Sequence, residues 1–348
     1  MRNFSIYNRN LSENSPCYLI AEIGHNHQGS LDQCIKMFKI AKDCGADAVK
    51  IQKRDNKRLF TKSFYNSPYT SNNSYADTYG KHRDFLEFGK EEYLELIKIA
   101  KELEIDFFST AFDEFSLDFL IEVGIGIIKV ASADLKNHYL LSKIAESKLP
   151  FIISTGGSTI EDVMEAKKLL SRYHENYAVL QCTSGYPAKF EELNLRVITK
   201  YQEIFENQII GLSSHDNGIA MSIGAFTLGA RIIEKHFTLD RTLKGTDHAF
   251  SLEPQGLKKL RRDLDRINLA LGDGIKRVFD SEIEPIKKMS KMIVAKKFIG
   301  KDSVIQIDDI TFKSPCIGIE ANRLDEVIEK RTTKDLYEDD PIEIINLY

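Results

Sequence analysis

No window of the chain approaches the roughly 18 consecutive apolar residues that a membrane-spanning helix requires, so no membrane association is expected. No basic cluster is interleaved with aromatic residues, which sets nucleic acid aside as a partner. Neither sign of charge dominates: 48 Lys and Arg stand against 52 Asp and Glu, and a net charge of −4 points to no class of partner. The five cysteines (Cys17, Cys34, Cys44, Cys182 and Cys316) form an odd set without a C-x-x-C pair. That disfavours both a disulfide framework and a cysteine zinc site, and a reducing compartment fits best. The first residues, MRNFSIYNRNLSENSP, lack the continuous apolar stretch of a signal peptide, so a cytoplasmic location is expected.

What is present is an ordinary globular composition, 42% hydrophobic and 29% charged over 348 residues, enough for one large domain and a small one. A short apolar run rich in branched residues recurs eight times: CYLIAEIG (17–24), DAVKIQ (47–52), DFFSTAF (106–112), GIIKVAS (126–132), FIISTGG (151–157), YAVLQCTS (177–184), QIIGLSSH (208–215) and ARIIEKHF (230–237). Helical patterns lie between the runs. In SLDQCIKMFKIAKDCGA, for example, Leu31, Ile35, Phe38 and Ala41 share one face. Eight strand-then-helix units predict an α/β fold, a (β/α)8 TIM barrel over residues 1–272 whose last helix spans Pro254 to Leu271. Residues 273–289 read as a linker. Residues 290–348, with KMIVAKKFIGKDSVIQIDDITF and DDPIEIINLY, read as a small, mostly β domain. The polar and aromatic connection 53–89 is longer than a compact barrel needs, and loops of that length are more often functional than idle.

Side chains alternate between the faces of a strand, and one parity gathers Glu22, Lys50, Gln52, Thr110, Lys129, Ser154, Ser184, Ser213, His215, Glu234 and His236. Each on its own has a plain alternative: a hydrogen-bonded core hydroxyl, or a strand such as RIIEKHF meeting water at its end. Together they describe a polar funnel at the C-terminal rim of the barrel, where active sites of this fold sit. His215 and His236 close neighbouring strands and can share one cation, with two ordinary hydrogen-bonded histidines as the alternative. Two histidines without a cysteine suit an open divalent site completed by water and substrate oxygens, and Mn²⁺ or Mg²⁺ accepts such ligands. Lys50 and Lys129 in the same funnel require anionic partners, which implies a phosphate or carboxylate ligand.

The stretches AEIGHNHQGS, GADAVKIQK, FFSTAFD, IKVASAD, ISTGGST, LQCTSGYP, IGLSSHDNG and IIEKHFTLDRTLKGTDHAFSLEP together resemble the sialic acid (N-acetylneuraminate) synthase family, in the right order over nearly the whole chain. The terminal stretch resembles that family's antifreeze-like (SAF) domain, and the insert PYTSNNSYADTYGKHRDFLEF is similar to the animal-type synthases. The resemblance implies a transferase that condenses phosphoenolpyruvate with N-acetylmannosamine, or its 6-phosphate, and releases phosphate by C–O cleavage. It implies that Lys50, Thr110, Lys129, Ser132, Ser154, Ser184 and Ser213 hold phosphoenolpyruvate, and that His215 and His236 bind a divalent metal, manganese foremost. It implies that Glu22 handles the attacking water with Asp134 and Asp247 near the sugar, and that Gln52, Tyr186 and Asp247 contact the amino-hexose. A domain-swapped homodimer is implied as well.

Three departures from the family pattern stand out. Asp134 replaces a frequent glutamate and Ser184 an occasional asparagine. An arginine that bacterial members carry in their C-terminal domain is missing: Lys313, Ser314, Pro315 and Cys316 stand there, with Arg323 as a substitute to test. Lys81, His82 and Arg83 in the long insert are candidates to grip a sugar phosphate, beside the alternative of a solvated patch. Two other functions are kept open: a related nonulosonate synthase of the legionaminic, pseudaminic or KDN type, and an inactive carbohydrate-binding scaffold.

Overall fold

The computed structural model describes residues 2–348 and divides into two compact units, Met1–Gly272 and Asp273–Tyr348. The first opens with a hairpin, β1 (Asn3–Ile6) and β2 (Arg9–Ser12), which the sequence reading did not anticipate. Phe4 and Ile6 are fully buried, and Arg9 pairs with Asp47 and Asp106 at the starts of two barrel strands. The hairpin therefore covers the N-terminal end of the barrel.

The eight predicted runs become β3 (Tyr18–Gly24), β4 (Ala48–Lys53), β5 (Asp106–Ala111), β6 (Ile128–Val130), β7 (Phe151–Ser154), β8 (Tyr177–Cys182), β9 (Ile209–Ser214) and β10 (Ile232–His236). They pair in parallel and in chain order, and β10 closes the cylinder against β3. Strands covered on both faces read as continuous apolar runs, which is why these segments were recognisable. The register places Glu22 beside both His236 and Lys50, Thr110 beside Gln52 and Lys129, and Ser213 beside Glu234. In-register neighbours face the same side, so the alternating polar set points into the barrel together.

The helices carry the signals that start and stop them. Ser30 caps Leu31–Asp43 by accepting from the Gln33 amide at 3.2 Å, and the helix buries Cys34, Met37, Phe38 and Ala41. A reciprocal box between Thr159 and Asp162 opens Ile160–Leu170. Pro254 begins the last barrel helix, Pro254–Leu271, which buries Leu257, Leu260 and Leu264.

The connection after β4 is not structureless. It holds three short helices, Asn56–Leu59, Lys62–Tyr65 and Tyr79–Phe85, capped by Asp55, Thr61 and Thr78. An aromatic cluster ties them together: the Tyr79 ring meets Phe60, Phe64 and Tyr69, while Tyr75 stacks on Phe85 at 4.8 Å. Gly80 is required here, because a Cβ would collide with the Tyr65 ring.

In the second unit the stretch expected as a linker contains a helix, Asp280–Met289. Regular strand is limited to β11 (Met292–Ala295) against β12 (Ile310–Lys313), and DDPIEIINLY contributes isolated bridges and a 3-10 turn. Its core is small and aliphatic, built on Ile293, Ile305, Val327 and Ile342. Arg323 is paired with Glu326 at 2.6 Å within this unit. Among the described residues no helix is long and apolar enough to cross a membrane.

On the outward parity of β10, Lys235 meets Asp216 at 2.9 Å, with both side chains about 1% exposed. Lys235 also donates to the Asp216 carbonyl at 2.6 Å, and Ser214 donates to the carboxylate. Removing one member of such a pair leaves a buried charge uncompensated, at a cost of about 3–5 kcal/mol. Lys235→Met is therefore expected to lower the denaturant midpoint sharply, and the double variant with Asp216→Asn to recover much of it. A double variant as unstable as the single one contradicts this role.

Candidate active site

A cavity of about 460 Å³ opens at the C-terminal ends of the barrel strands. Its floor is a buried chain of charges. Lys50 Nζ lies 2.6 Å from Glu22 Oε2, 2.9 Å from Thr110 Oγ1 and 3.8 Å from Glu234 Oε1. Lys129 Nζ donates to Ser154 Oγ at 2.7 Å and to the Val130 carbonyl at 2.8 Å. Ser213 Oγ donates to Glu234 at 3.2 Å, and Gln52 Nε2 to Glu22 Oε1 at 2.7 Å.

This environment drives the two carboxylates apart. Burial pushes the Glu22 carboxyl above its ordinary value even against Lys50, and the Glu234 charge adds to the rise. Burial acts on Glu234 in the same direction, but Lys129, Lys50 and the two histidines outweigh it and hold that carboxyl below its ordinary value. Glu234 is the fixed anion of the pair and Glu22 the group able to exchange a proton. Burial also lowers Lys129, against the pull of Glu234.

Above the floor the His215 and His236 rings stand 5.3 Å apart, flanked by Tyr186 and Phe250. His215 Nδ1 faces the Thr183 carbonyl at 2.9 Å, so in the neutral ring Nδ1 carries the proton and Nε2 the lone pair. His236 Nδ1 is buried without a hydrogen-bond partner, 3.7 Å from Asp247 Oδ2. Burial lowers His236 below its usual value, with Asp247 opposing. A basic nitrogen on each ring, one of them orphaned, suits a divalent cation. Among the described residues no group of three or more His, Cys, Asp or Glu forms a metal site, so the chain itself offers mainly these two imidazoles.

On the flank next to the long insert, two arginines line the same cavity. Arg54 lies over the Phe112 ring at 3.5 Å and donates to Gln52 Oε1 at 2.8 Å. Arg83 donates to the Tyr79 hydroxyl from Nε at 3.1 Å and from Nη2 at 3.0 Å.

Of the residues singled out in the sequence, Glu22, Lys50, Gln52, Thr110, Lys129, Ser132, Ser154, Ser184, Tyr186, Ser213, His215, His236 and Asp247 line this one cavity. Asp134 does not. It sits in the 3-10 turn Ser132–Asp134 and accepts from Asn137 at 3.3 Å, because that turn aims Ser132 inward and the next-but-one residue aside. Ser184 lies beyond the end of β8 and reaches the cavity from the loop. Within the insert, Lys81 pairs with Asp77 in solvent and His82 is buried under the aromatic cluster, leaving Arg83 alone in the cavity wall. Arg54, Phe112, Cys182 and Thr246 went unassigned by the sequence reading. The first three share the inward parity: Arg54 lies two residues past the run DAVKIQ, whereas Phe112 and Cys182 lie within their runs and were passed over because only charged, hydroxyl, amide and imidazole side chains were gathered. Thr246 lies in an irregular loop and leaves no such signal.

Residues 37–276 match the NeuB family. The chain is 40% identical over 298 residues to N-acetylneuraminate-9-phosphate synthase of Homo sapiens, covering 86% of this chain and 83% of that one. It is 39% identical over 330 residues to N,N'-diacetyllegionaminic acid synthase of Campylobacter jejuni, covering 93% and 98%. Among solved structures, N-acetylneuraminic acid (sialic acid) synthetase from Leptospira borgpetersenii, in complex with citrate, superposes with a TM-score of 0.72 at 33% identity, covering 82% of this chain and 95% of that one.

Gly156 supports the floor by being small. A Cβ there would collide with Ser184 Oγ and lie 2.9 Å from Ser132 Oγ, which accepts from the Gly156 amide. Gly156→Ala is expected to displace both hydroxyls and weaken calorimetric binding of inorganic phosphate roughly 10-fold, the worth of a hydrogen bond to a charged group. An unchanged affinity removes these hydroxyls from anion binding.

Proposed function

The chain belongs to the NeuB family, and from that premise we propose that it is a nonulosonate synthase that condenses phosphoenolpyruvate with open-chain N-acetylmannosamine or its 6-phosphate. The observation that carries this reading is the floor: two buried ammonium groups, a ring of inward hydroxyls and one proton-exchanging carboxylate share a cavity with paired imidazoles. Lys50 and Lys129, with Thr110, Ser132, Ser154, Ser184 and Ser213, bind the phosphate and carboxylate of phosphoenolpyruvate. Both of its charged ends thereby leave water without being left unpaired.

Carbon 3 of the bound enol phosphate attacks the aldehyde carbon of the sugar. The cation that develops at carbon 2 takes up water, whose proton passes to the Glu22 carboxylate. Collapse of that adduct breaks the C–O bond to phosphate, so one phosphoenolpyruvate, one aldose and one water give one nonulosonate and one inorganic phosphate. Glu234 stays ionised, anchors both lysines and offsets the positive charge on carbon 2. Gln52, Tyr186 and Asp247 orient the sugar. His215 and His236 would hold a divalent metal, manganese foremost, which when bound supplies a Lewis acid for the aldehyde oxygen. The second unit as the SAF domain, and the homodimer, belong to the same proposal.

Asp134, outside the cavity lining, is given no role in this reading. A legionaminic-type synthase acting on another hexose is the second reading, and the 39% identity to N,N'-diacetyllegionaminic acid synthase favours keeping it. It shares the cavity floor and differs only in the aldose. Turnover across a panel of N-acetylmannosamine, mannose, their 6-phosphates and a 2,4-diacetamido sugar separates the two.

Phosphate release should need both substrates, stop with a chelator and return with Mn²⁺. The pH profile tests Glu22 separately. As a base it works ionised, so kcat/KM falls as pH drops through its pKa, and that pKa lies above the ordinary 4.5. Glu234→Gln removes a charge that raises it, so the acid limb is expected to move to lower pH, whereas Glu22→Gln abolishes turnover. An acid limb that stays in place in Glu234→Gln contradicts the assignment.

A further inference from the structure

Among the described residues neither arginine of the cavity wall has a carboxylate within ion-pair distance; Glu87 and Asp247 act on Arg54, and Asp247 on Arg83, only from farther away. Arg54 donates to Gln52 and Arg83 to the Tyr79 hydroxyl, both neutral acceptors, and each also touches one ring nitrogen of His25. The lysines of the floor differ in this respect, since Lys50 is already paired with Glu22 and Glu234.

Between the arginines stands His25. Its Nε2 is 3.1 Å from Arg54 Nη1 and its Nδ1 is 3.0 Å from Arg83 Nη1. A neutral imidazole has one acceptor nitrogen and one N–H, so only one of these contacts can be a hydrogen bond. In the other, two donors face each other. Glu87 Oε1, 3.8 Å from His25 Nε2, is too distant to resolve this, and it is itself buried without a partner. The wall thus brings two guanidinium groups and a frustrated imidazole to one side of a cavity, held in place by Phe112, Tyr79 and Gln52. An oxyanion taking N–H groups from both arginines relieves the conflict.

The wall is also connected to the floor. Gln52 donates to Glu22 and accepts from Arg54, so a run of side chains from Glu22 through Gln52, Arg54 and His25 ends at Arg83. A molecule reacting over Glu22 and extending along this wall brings its far end to the arginines. Planar guanidinium forks suit a phosphate monoester through paired hydrogen bonds.

We infer that Arg54 and Arg83 form an anion subsite for the terminal phosphate of the aldose, so that the enzyme takes a hexosamine 6-phosphate in preference to the free sugar. The inference rests on the synthase reading above and names the substrate class of the same site. Arg83 comes from the insert helix Tyr79–Phe85 and Arg54 from the residue after β4, so the long connection acts as a specificity element. Lys81, on the same helix, is paired with Asp77 in solvent and takes no part.

The test is calorimetric binding of N-acetylmannosamine 6-phosphate, N-acetylmannosamine and phosphoenolpyruvate to wild type, Arg83→Met, Arg83→Lys, Arg54→Met and Lys81→Ala. In wild type the phosphorylated sugar is expected to bind at least roughly 10-fold tighter than the free sugar, the worth of one charge-assisted hydrogen bond. Arg83→Met and Arg54→Met should each lower that ratio by about 10-fold or more. Arg83→Lys should restore part of it, and Lys81→Ala should leave it as in wild type. A merely structural role for either arginine weakens both sugars alike and leaves the ratio in place. A ratio near one in wild type, no binding of the phosphorylated sugar, or arginine variants that weaken phosphoenolpyruvate instead overturns the inference. Phosphate release by wild type across the aldose panel keeps the two levels apart. Release with unphosphorylated sugars alone keeps the synthase reading and sinks the subsite. Release with no aldose sinks the synthase reading, and the binding ratio then judges the subsite by itself.

Discussion

Lys50, held between Glu22 and Glu234 at the bottom of the cavity, is the contact on which the rest of the site depends. Placing three charged groups in a barrel interior is costly, and the arrangement persists only because each has a partner in reach. Thr110, Gln52 and Ser213 add hydrogen bonds, and Glu234 Oε2 is left buried without one. The consequence is chemical as well as structural. One carboxylate is held anionic, the other is poised to exchange a proton, and Lys129 beside them supplies the second positive charge that balances the pair.

The barrel uses the alternation of its strands twice. Inward positions of β9 and β10 carry Ser213, Glu234 and His236, and the outward Lys235 grips Asp216 just after β9. A buried ion pair behind the wall thus fastens the strand ends from which His215 and His236 project. The charge-balanced floor and the unbalanced arginine flank are likewise distinct in kind. The floor is built from strand residues whose positions the barrel dictates. The flank depends on an insert packed by its own aromatic residues, and such an insert can vary without disturbing the cylinder.

The eight strands could be read from the sequence because strands buried on both faces are unbroken apolar runs, and the funnel because a period of two survives in every strand. Thirteen of the fourteen residues singled out for the site share the cavity; the exception is Asp134, which only the family resemblance suggested and which the 3-10 turn carrying Ser132 inward turns aside. The rule of alternation, stopped at the end of the run DAVKIQ, missed Arg54, and confined to polar side chains it passed over Phe112. The hairpin at the barrel base was unreadable for another reason. Two strands of four residues are too short to show a period, and their pairing is set by contacts with Asp47, Asp106 and Phe107, far along the chain. The insert helices are short too, and caps such as Asp55 and Thr61 are as common in turns.

The central claim is that the floor holds an enol phosphate before any sugar arrives. It is tested most directly by titrating phosphoenolpyruvate into the metal-loaded protein without aldose, for wild type and Lys129→Met, in a calorimeter. Binding to wild type that weakens by roughly 10- to 100-fold in Lys129→Met is the expected result, the loss that removing a charged hydrogen-bond donor produces. Equal affinity in the two proteins would contradict the account.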